Sequence, residues 1–281
     1  MRDCGRCGPA PDLLTARPRR CRAGHEVAVA GIEGDTVYLD DQFDQPYEMP
    51  LELFMAAWSG VRKDRHHLVS ITGSAHADLG RAASEAVAGT VAKLTGPVLG
   101  NNFDVNFGLS GMRRLAAQLA DTTTKTGWAR RFADPEAFFI GMTRLHDCLE
   151  IEYGAPGAMR PLYAGFLDEA GGRQAAAEVY REAGSAWSAV ARAALPAHVP
   201  QLARYRELVS EREELKLTDR AAGAVRIQRL DAEAAKLPGE YGAADQLGTD
   251  GRMALLAELG ALVEQAVRLE ERGVELLRRT A

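Results

Sequence analysis

The chain of 281 residues has no run of about 18 apolar residues, which excludes a membrane-spanning helix. Cysteine is sparse. Cys4, Cys7, Cys21 and Cys148 are too few and too uneven for the disulfide framework of a secreted domain, so a reducing cytoplasm is expected. An excess of positive charge is missing as well. The net charge of -5 speaks against a general nucleic-acid binder, which needs a concentrated Lys/Arg face to neutralise phosphates. The first residues carry Arg2, Arg6, Arg17, Arg19, Arg20 and Arg22, but Pro9, Pro11 and Pro18 interrupt them and no apolar stretch follows. They are therefore not read as a secretory signal. There is no phosphate-cradling glycine loop, no dinucleotide fingerprint and no serine-nucleophile elbow, and no cofactor is expected.

What is present is an ordinary globular composition, 46% hydrophobic and 26% charged, long enough for about two domains. Arg outnumbers Lys by about 29 to five, and abundant alanine biases the chain towards helix. The pattern changes near residue 76. Before it, His25 to Ile32 reads as a strand, Glu33-Gly34-Asp35 as a turn, and Thr36 to Leu39 as the returning strand. Pro50 opens a short helix ended by Gly60, and His66 to Ile71 reads as a third strand. After residue 77, apolar residues recur at helical spacing over 78–94, 110–120, 135–152, 159–170, 173–194, 198–217, 220–236 and 251–279. The expected fold class is α+β: a small antiparallel sheet over 1–76, a helix and linker over 77–100, and a mainly α-helical domain over 101–281.

In the last helix Leu255, Leu262, Leu269 and Leu276 repeat every seven residues, with Leu259 and Ala266 between them. Such a seam would serve a partner, a second copy in a homo-oligomer included. Gly273 interrupts it, and a packed bundle helix is the plainer reading. Residues 26–52 hold eight acids and no Lys or Arg, a surface that would draw a polycation if it is more than a solvated hairpin face.

Two chemistries compete for His25. Cys4-x-x-Cys7 and Cys21-x-x-x-His25 have the spacing of a four-ligand zinc site. Against it, Pro18 and the Arg cluster break any helix before Cys21, and His25 begins a strand. The other chemistry is a dyad, in which strand pairing brings a carboxylate beside His25 and holds its imidazole in the tautomer of a general base. Register decides which carboxylate. A three-residue loop over 33–35 sets Ile32 against Thr36 and Val27 against Asp41, whereas a two-residue loop selects Asp40. A plain surface histidine is the third possibility.

Several motifs bear on the dyad. His25-Glu-Val-Ala-Val-Ala-Gly, Asp35-Thr-Val-Tyr-Leu-Asp-Asp41 and Pro50-Leu-Glu-Leu-Phe together resemble the later half of a papain-like domain, as found in the butirosin biosynthesis protein H family. Asn101-Asn-Phe-Asp-Val-Asn-Phe-Gly-Leu-Ser-Gly111, Gly127-Trp128, Glu150-Ile-Glu-Tyr-Gly154 and Arg160-Pro-Leu-Tyr-Ala-Gly-Phe-Leu-Asp-Glu-Ala170 resemble that family's helical C-terminal domain. The resemblance implies cysteine-dependent transfer of an acyl group from a carrier-protein thioester to an amine of an aminoglycoside-like or polyamine acceptor. It matches His25 to the catalytic histidine and Asp41 to its orienting acid.

The chain departs from the family at the nucleophile. That cysteine belongs at the start of a helix far upstream of the histidine, where the helix N-terminus lowers its pKa, but only 24 residues precede His25. Cys148, on an apolar helix, is expected to be a packed thiol, so no cysteine inherits the role. The expectation is an incomplete acyltransferase-like protein, or else a non-catalytic helical module that binds a carrier protein or another subunit. Smaller signals have plainer readings. His66-His67 and His76 make a poor chelate, His146 with Glu150 an i, i+4 surface pair, and Gly154 to Gly157 with Arg160 a helix–helix loop rather than an anion site. Trp128, Phe132, Phe138, Phe139, Tyr163, Phe166 and Trp187 are assigned to core.

Overall fold

The computed structural model describes residues 26–40, 46–60, 66–74, 76–152, 156–218 and 220–280. The chain divides into two compact units, Met1–Ala75 and His76–Ala281. The architecture is α+β, a small antiparallel sheet followed by helices.

In the first unit β1 (Ala28–Glu33), β2 (Thr36–Asp40) and β3 (Tyr47–Pro50) form a sheet in the order β1-β2-β3, and α1 (Leu51–Gly60) packs on β2 and β3. The alternation along β2 buries Val37 and Leu39 on one face and leaves Thr36, Tyr38 and Asp40 on the other. The β1–β2 loop holds two residues, Gly34 and Asp35, because Glu33 pairs with Thr36; the three-residue loop is thus corrected. A bulge between Val29 and Gly31 then takes up one residue of β1. Ala28 consequently faces Asp40, the pairing that the three-residue loop implied at this end of the ladder.

The third strand is also corrected. β3 is Tyr47–Pro50, and the described residues after His66 form no strand. They cross Trp58, whose indole Nε1 donates to the His67 carbonyl at 3.2 Å and whose ring meets that of His66 edge-on. Leu68, Val69 and Ile71 stay exposed, Ile71 at 94%. A branched, apolar run signals a strand only where a neighbouring strand or a core receives it.

The second unit contains α2 (Leu79–Thr95), a 3-10 turn at Asp104–Asn106, α3 (Gly108–Ala120), α4 (Trp128–Arg131), α5 (Pro135–Glu150), α6 (Arg160–Glu169), α7 (Gln174–Ala194), α8 (Pro200–Thr218), α9 (Arg220–Ala234), α10 (Leu237–Ala244) and α11 (Gly248–Arg278). Side-chain caps start two of them. Asp78 accepts from the Arg81 N–H, and Asp134 from the Ala137 N–H, with Pro135 already in helical conformation. α10 opens with Pro238 in its first turn, where proline costs no hydrogen bond.

α11, 31 residues long, packs against α7 and α3. Its buried stripe runs through Leu256, Leu259, Val263, Ala266, Val267, Gly273, Val274 and Leu277, while Leu262, Leu269 and Leu276 flank it. The heptad is therefore the edge of a bundle helix already covered within the unit. Two clusters of buried residues form the core. The larger joins Phe138, Phe139, Trp187, Leu202, Tyr241 and Val263; the smaller joins Val87, Ala164, Leu167, Tyr180 and Leu277. Among the described residues no helix is long and apolar enough to cross a membrane.

Candidate functional site

His25 and Asp41, the expected dyad, lie outside the described residues, as do Cys4, Cys7 and Cys21 of the zinc reading. Asp40 closes β2 on its exposed face, opposite Ala28. Among the described residues no group of three His, Cys, Asp or Glu side chains is placed to hold a metal. Cys148 is exposed rather than packed, and its thiol points to Glu152 Oε2 at 3.7 Å.

His146 is not half of a surface pair. It is buried, with Nδ1 3.1 Å from Asp147 Oδ1, and the Tyr205 hydroxyl donates to Asp147 Oδ2 at 2.6 Å. Burial and the Asp147 charge push the Tyr205 phenol well above its ordinary value, so it remains the donor. Glu150, the residue expected opposite His146, instead receives the Gly157 N–H at 3.4 Å. The Gly157 amide is thus already taken by a carboxylate of α5, while Gly154 lies outside the described residues.

Arg160 leads to the one cluster among the described residues with the properties of a site. Its Nε donates to Glu270 Oε1 at 2.6 Å, and its Nη1 donates to the Ala158 carbonyl at 2.7 Å. Trp187 Nε1 donates to the same Glu270 Oε1 at 2.8 Å. Glu270 is completely buried, yet its second oxygen, Oε2, has no hydrogen-bond partner, and neither has the buried Tyr180 hydroxyl. Burial first, and then the Glu270 charge, raise the Tyr180 phenol far beyond its usual range.

Arg160, Tyr180 and Glu270 line a cleft of about 360 Å³. α2 contributes Thr90 and Leu94, α6 contributes Leu162, Tyr163 and Phe166, and Met159 precedes α6. An apolar cleft with a few convergent polar atoms is the usual form of a small-molecule site.

The local sequence explains how the cluster is assembled. Gly157 has a φ of 66° and lies against Gly184 of α7, where a Cβ would come within 2.8 Å of the Gly184 carbonyl oxygen. A Cβ on Gly184 would in turn come within 2.8 Å of Pro161 Cδ. α6 can thus start directly on α7 and deliver Arg160 to Glu270. Ala158 and Met159 follow at φ 53° and 65°, a left-handed pair that non-glycine residues rarely adopt. On α11, Gly273 makes room for Tyr180, since a Cβ there would approach the ring to 2.9 Å. The glycine that breaks the heptad seam therefore seats a wall of the cleft.

Of the aromatic residues assigned to core, Trp187 is buried but also ligates Glu270, while Tyr163 and Phe166 are half-buried and line the cleft. Glu270 itself was not singled out by motif. The signal for it was its position, a carboxylate four residues after Ala266 and before Val274, on the apolar stripe of a long helix. Comparison with family models, with curated proteins and with solved structures gives no match.

Proposed function

We propose that the helical unit is a small-molecule binding module and that the Glu270 cleft is its site. The observation that carries this reading is Glu270 Oε2, a fully buried carboxylate oxygen without a donor on a residue that lines the cleft. A buried acceptor left unpaired costs free energy that the donor of a bound ligand recovers. The left-handed pair Ala158-Met159 at the mouth is a second expense that the fold tolerates at this place. We assign the chain to the cytoplasm because its cysteines are few.

Leu162 lies on the rim and is 62% exposed, so Leu162→Trp blocks the mouth without disturbing the ion pair. Ligand-observed NMR on the full chain, with a panel of apolar-bodied neutral, cationic and anionic fragments, is expected to give saturation transfer that Leu162→Trp removes. A panel in which no fragment distinguishes the two proteins would sink the reading.

A second reading is the acyl transfer that the motifs imply, with His25 as base, Asp41 as its orienter, a carrier-protein thioester as donor and an amine as acceptor. The β1–β2 register supports it, since Ala28 faces Asp40 in the frame that a three-residue hairpin uses to set Val27 against Asp41. The nucleophile is the part of the reading that no cysteine here supplies. A carboxylate beside an imidazole raises its pKa, so Asp41→Asn is expected to lower that of His25 in an NMR titration. An unchanged value would contradict the pairing.

A further inference from the structure

The polar atoms of the cleft form a specific donor and acceptor pattern. Glu270 Oε2 accepts only. The Tyr180 hydroxyl is held in its neutral form by burial and by the Glu270 charge, so it keeps a proton to donate. The guanidinium of Arg160 already balances Glu270, with Nε on the carboxylate and Nη1 on a backbone carbonyl. Around them the walls are Leu94, Leu162, Phe166 and Tyr163, whose own hydroxyl is buried without a partner and adds a third polar group to the lining. A ligand head must therefore offer one donor to Oε2 and one lone pair to Tyr180, and bring no net charge.

We propose that the Glu270 cleft takes a neutral molecule with an apolar body and a hydroxyl or primary-amide head. The head donates its proton to Glu270 Oε2 and accepts from the Tyr180 hydroxyl, while the body lies along the aromatic and aliphatic walls. A carboxylate or phosphate head has no proton for Oε2 and meets the charge of Glu270. An ammonium head has donors but no lone pair for Tyr180, and adds a second cation beside Arg160. An ether of the same shape lacks the donor. The inference rests on the cleft being a ligand site and adds to it the chemistry of the ligand.

Three probes of one shape test it: phenethyl alcohol, phenethyl methyl ether and phenethylammonium, each titrated calorimetrically into the full chain. The alcohol is expected to bind about tenfold more tightly than the ether, the usual worth of one hydrogen bond to a charged group, and about tenfold more tightly than the ammonium. Tyr180→Phe, which removes only an unpartnered hydroxyl, is expected to weaken the alcohol several-fold and leave the ether unchanged. Leu162→Trp is expected to abolish binding of all three. An ether that binds as well as the alcohol, or an ammonium that binds better, overturns the ligand chemistry while leaving the cleft a site if Leu162→Trp still removes it. Failure of all three probes to bind overturns both.

Discussion

Glu270 has the most to lose from a change among its neighbours. Its carboxylate is wholly buried, and among the described residues Arg160 supplies the countercharge bonded to it. Arg160→Ala would leave an uncompensated buried charge and is expected to cost about 3–5 kcal/mol in urea unfolding. The pair of Arg226 and Glu211 offers the comparison, because both side chains are substantially exposed. Arg226→Ala is expected to leave the unfolding midpoint almost unmoved, since water screens that pair. Replacing both Arg160 and Glu270 by methionine is expected to cost less than either single replacement. Equal costs for Arg160→Ala and Arg226→Ala would mean that the Glu270 site is wet and its pairing incidental. A buried glutamate of this kind can be noticed in a sequence as a charge on an apolar stripe. Its partners cannot, because Arg160 and Trp187 lie 110 and 83 residues away and meet it only after the helices have packed.

Among the elements, α6, α7 and α11 are held at close range by what glycine lacks. Gly273→Ala should gain helix propensity, yet its Cβ falls 2.9 Å from the Tyr180 ring. It is expected to destabilise by about 1–3 kcal/mol through overpacking. Gly165→Ala, in α6 with open space around the new methyl, is expected to stabilise by about 0.5–1 kcal/mol. Denaturant midpoints of the two variants read the opposite signs, and a stabilising Gly273→Ala would contradict the packing described.

Loops are organised by carboxylates. Asp104 receives the N–H groups of Leu99, Val98 and Asn101, which hold its carboxyl below the ordinary value. Thr124 and Thr123 do the same for Asp121, by hydroxyl and backbone N–H together. A lowered folded-state pKa contributes stability above the unfolded value near 3.9 and loses it as pH falls towards the folded one. Amide exchange at Val98, Leu99, Thr123 and Thr124, corrected for intrinsic rate, should therefore lose protection below about pH 4. Protection unchanged between neutral pH and acid would contradict it. These elements also show what a sequence discloses. Helices with many buried positions, such as α5 and α7, were legible from their period, and α1 from its flanking Pro50 and Gly60. The strand at Tyr47–Pro50 was not, because four residues carry too little alternation. The segment from His66 to Ile71 misled because its side chains look buried when read alone.

At the scale of the whole molecule, the two proposals fall on different units. The first unit pairs Ala28 with Asp40, the frame in which the three-residue hairpin sets Val27 against Asp41. The second holds a cleft that no motif announced, built from α2, α6, α7 and α11. Spacing discloses chemistry when its residues are near in sequence, as in a hairpin or a Cys-x-x-Cys pair. The cleft gathers residues from Thr90 to Glu270, so its pattern exists only in three dimensions. Trp187 provides a direct report on it, because its indole N–H is bonded to the carboxylate of Glu270, which lines the cleft and whose other oxygen is unpartnered. The most direct measurement is therefore the ¹⁵N–¹H resonance of the Trp187 indole during titration of the full chain with phenethyl alcohol. The account predicts a saturable shift that is absent in Leu162→Trp. An indole resonance that does not move in the native protein, or that moves equally in the blocked variant, would contradict the claim that Glu270 serves a ligand.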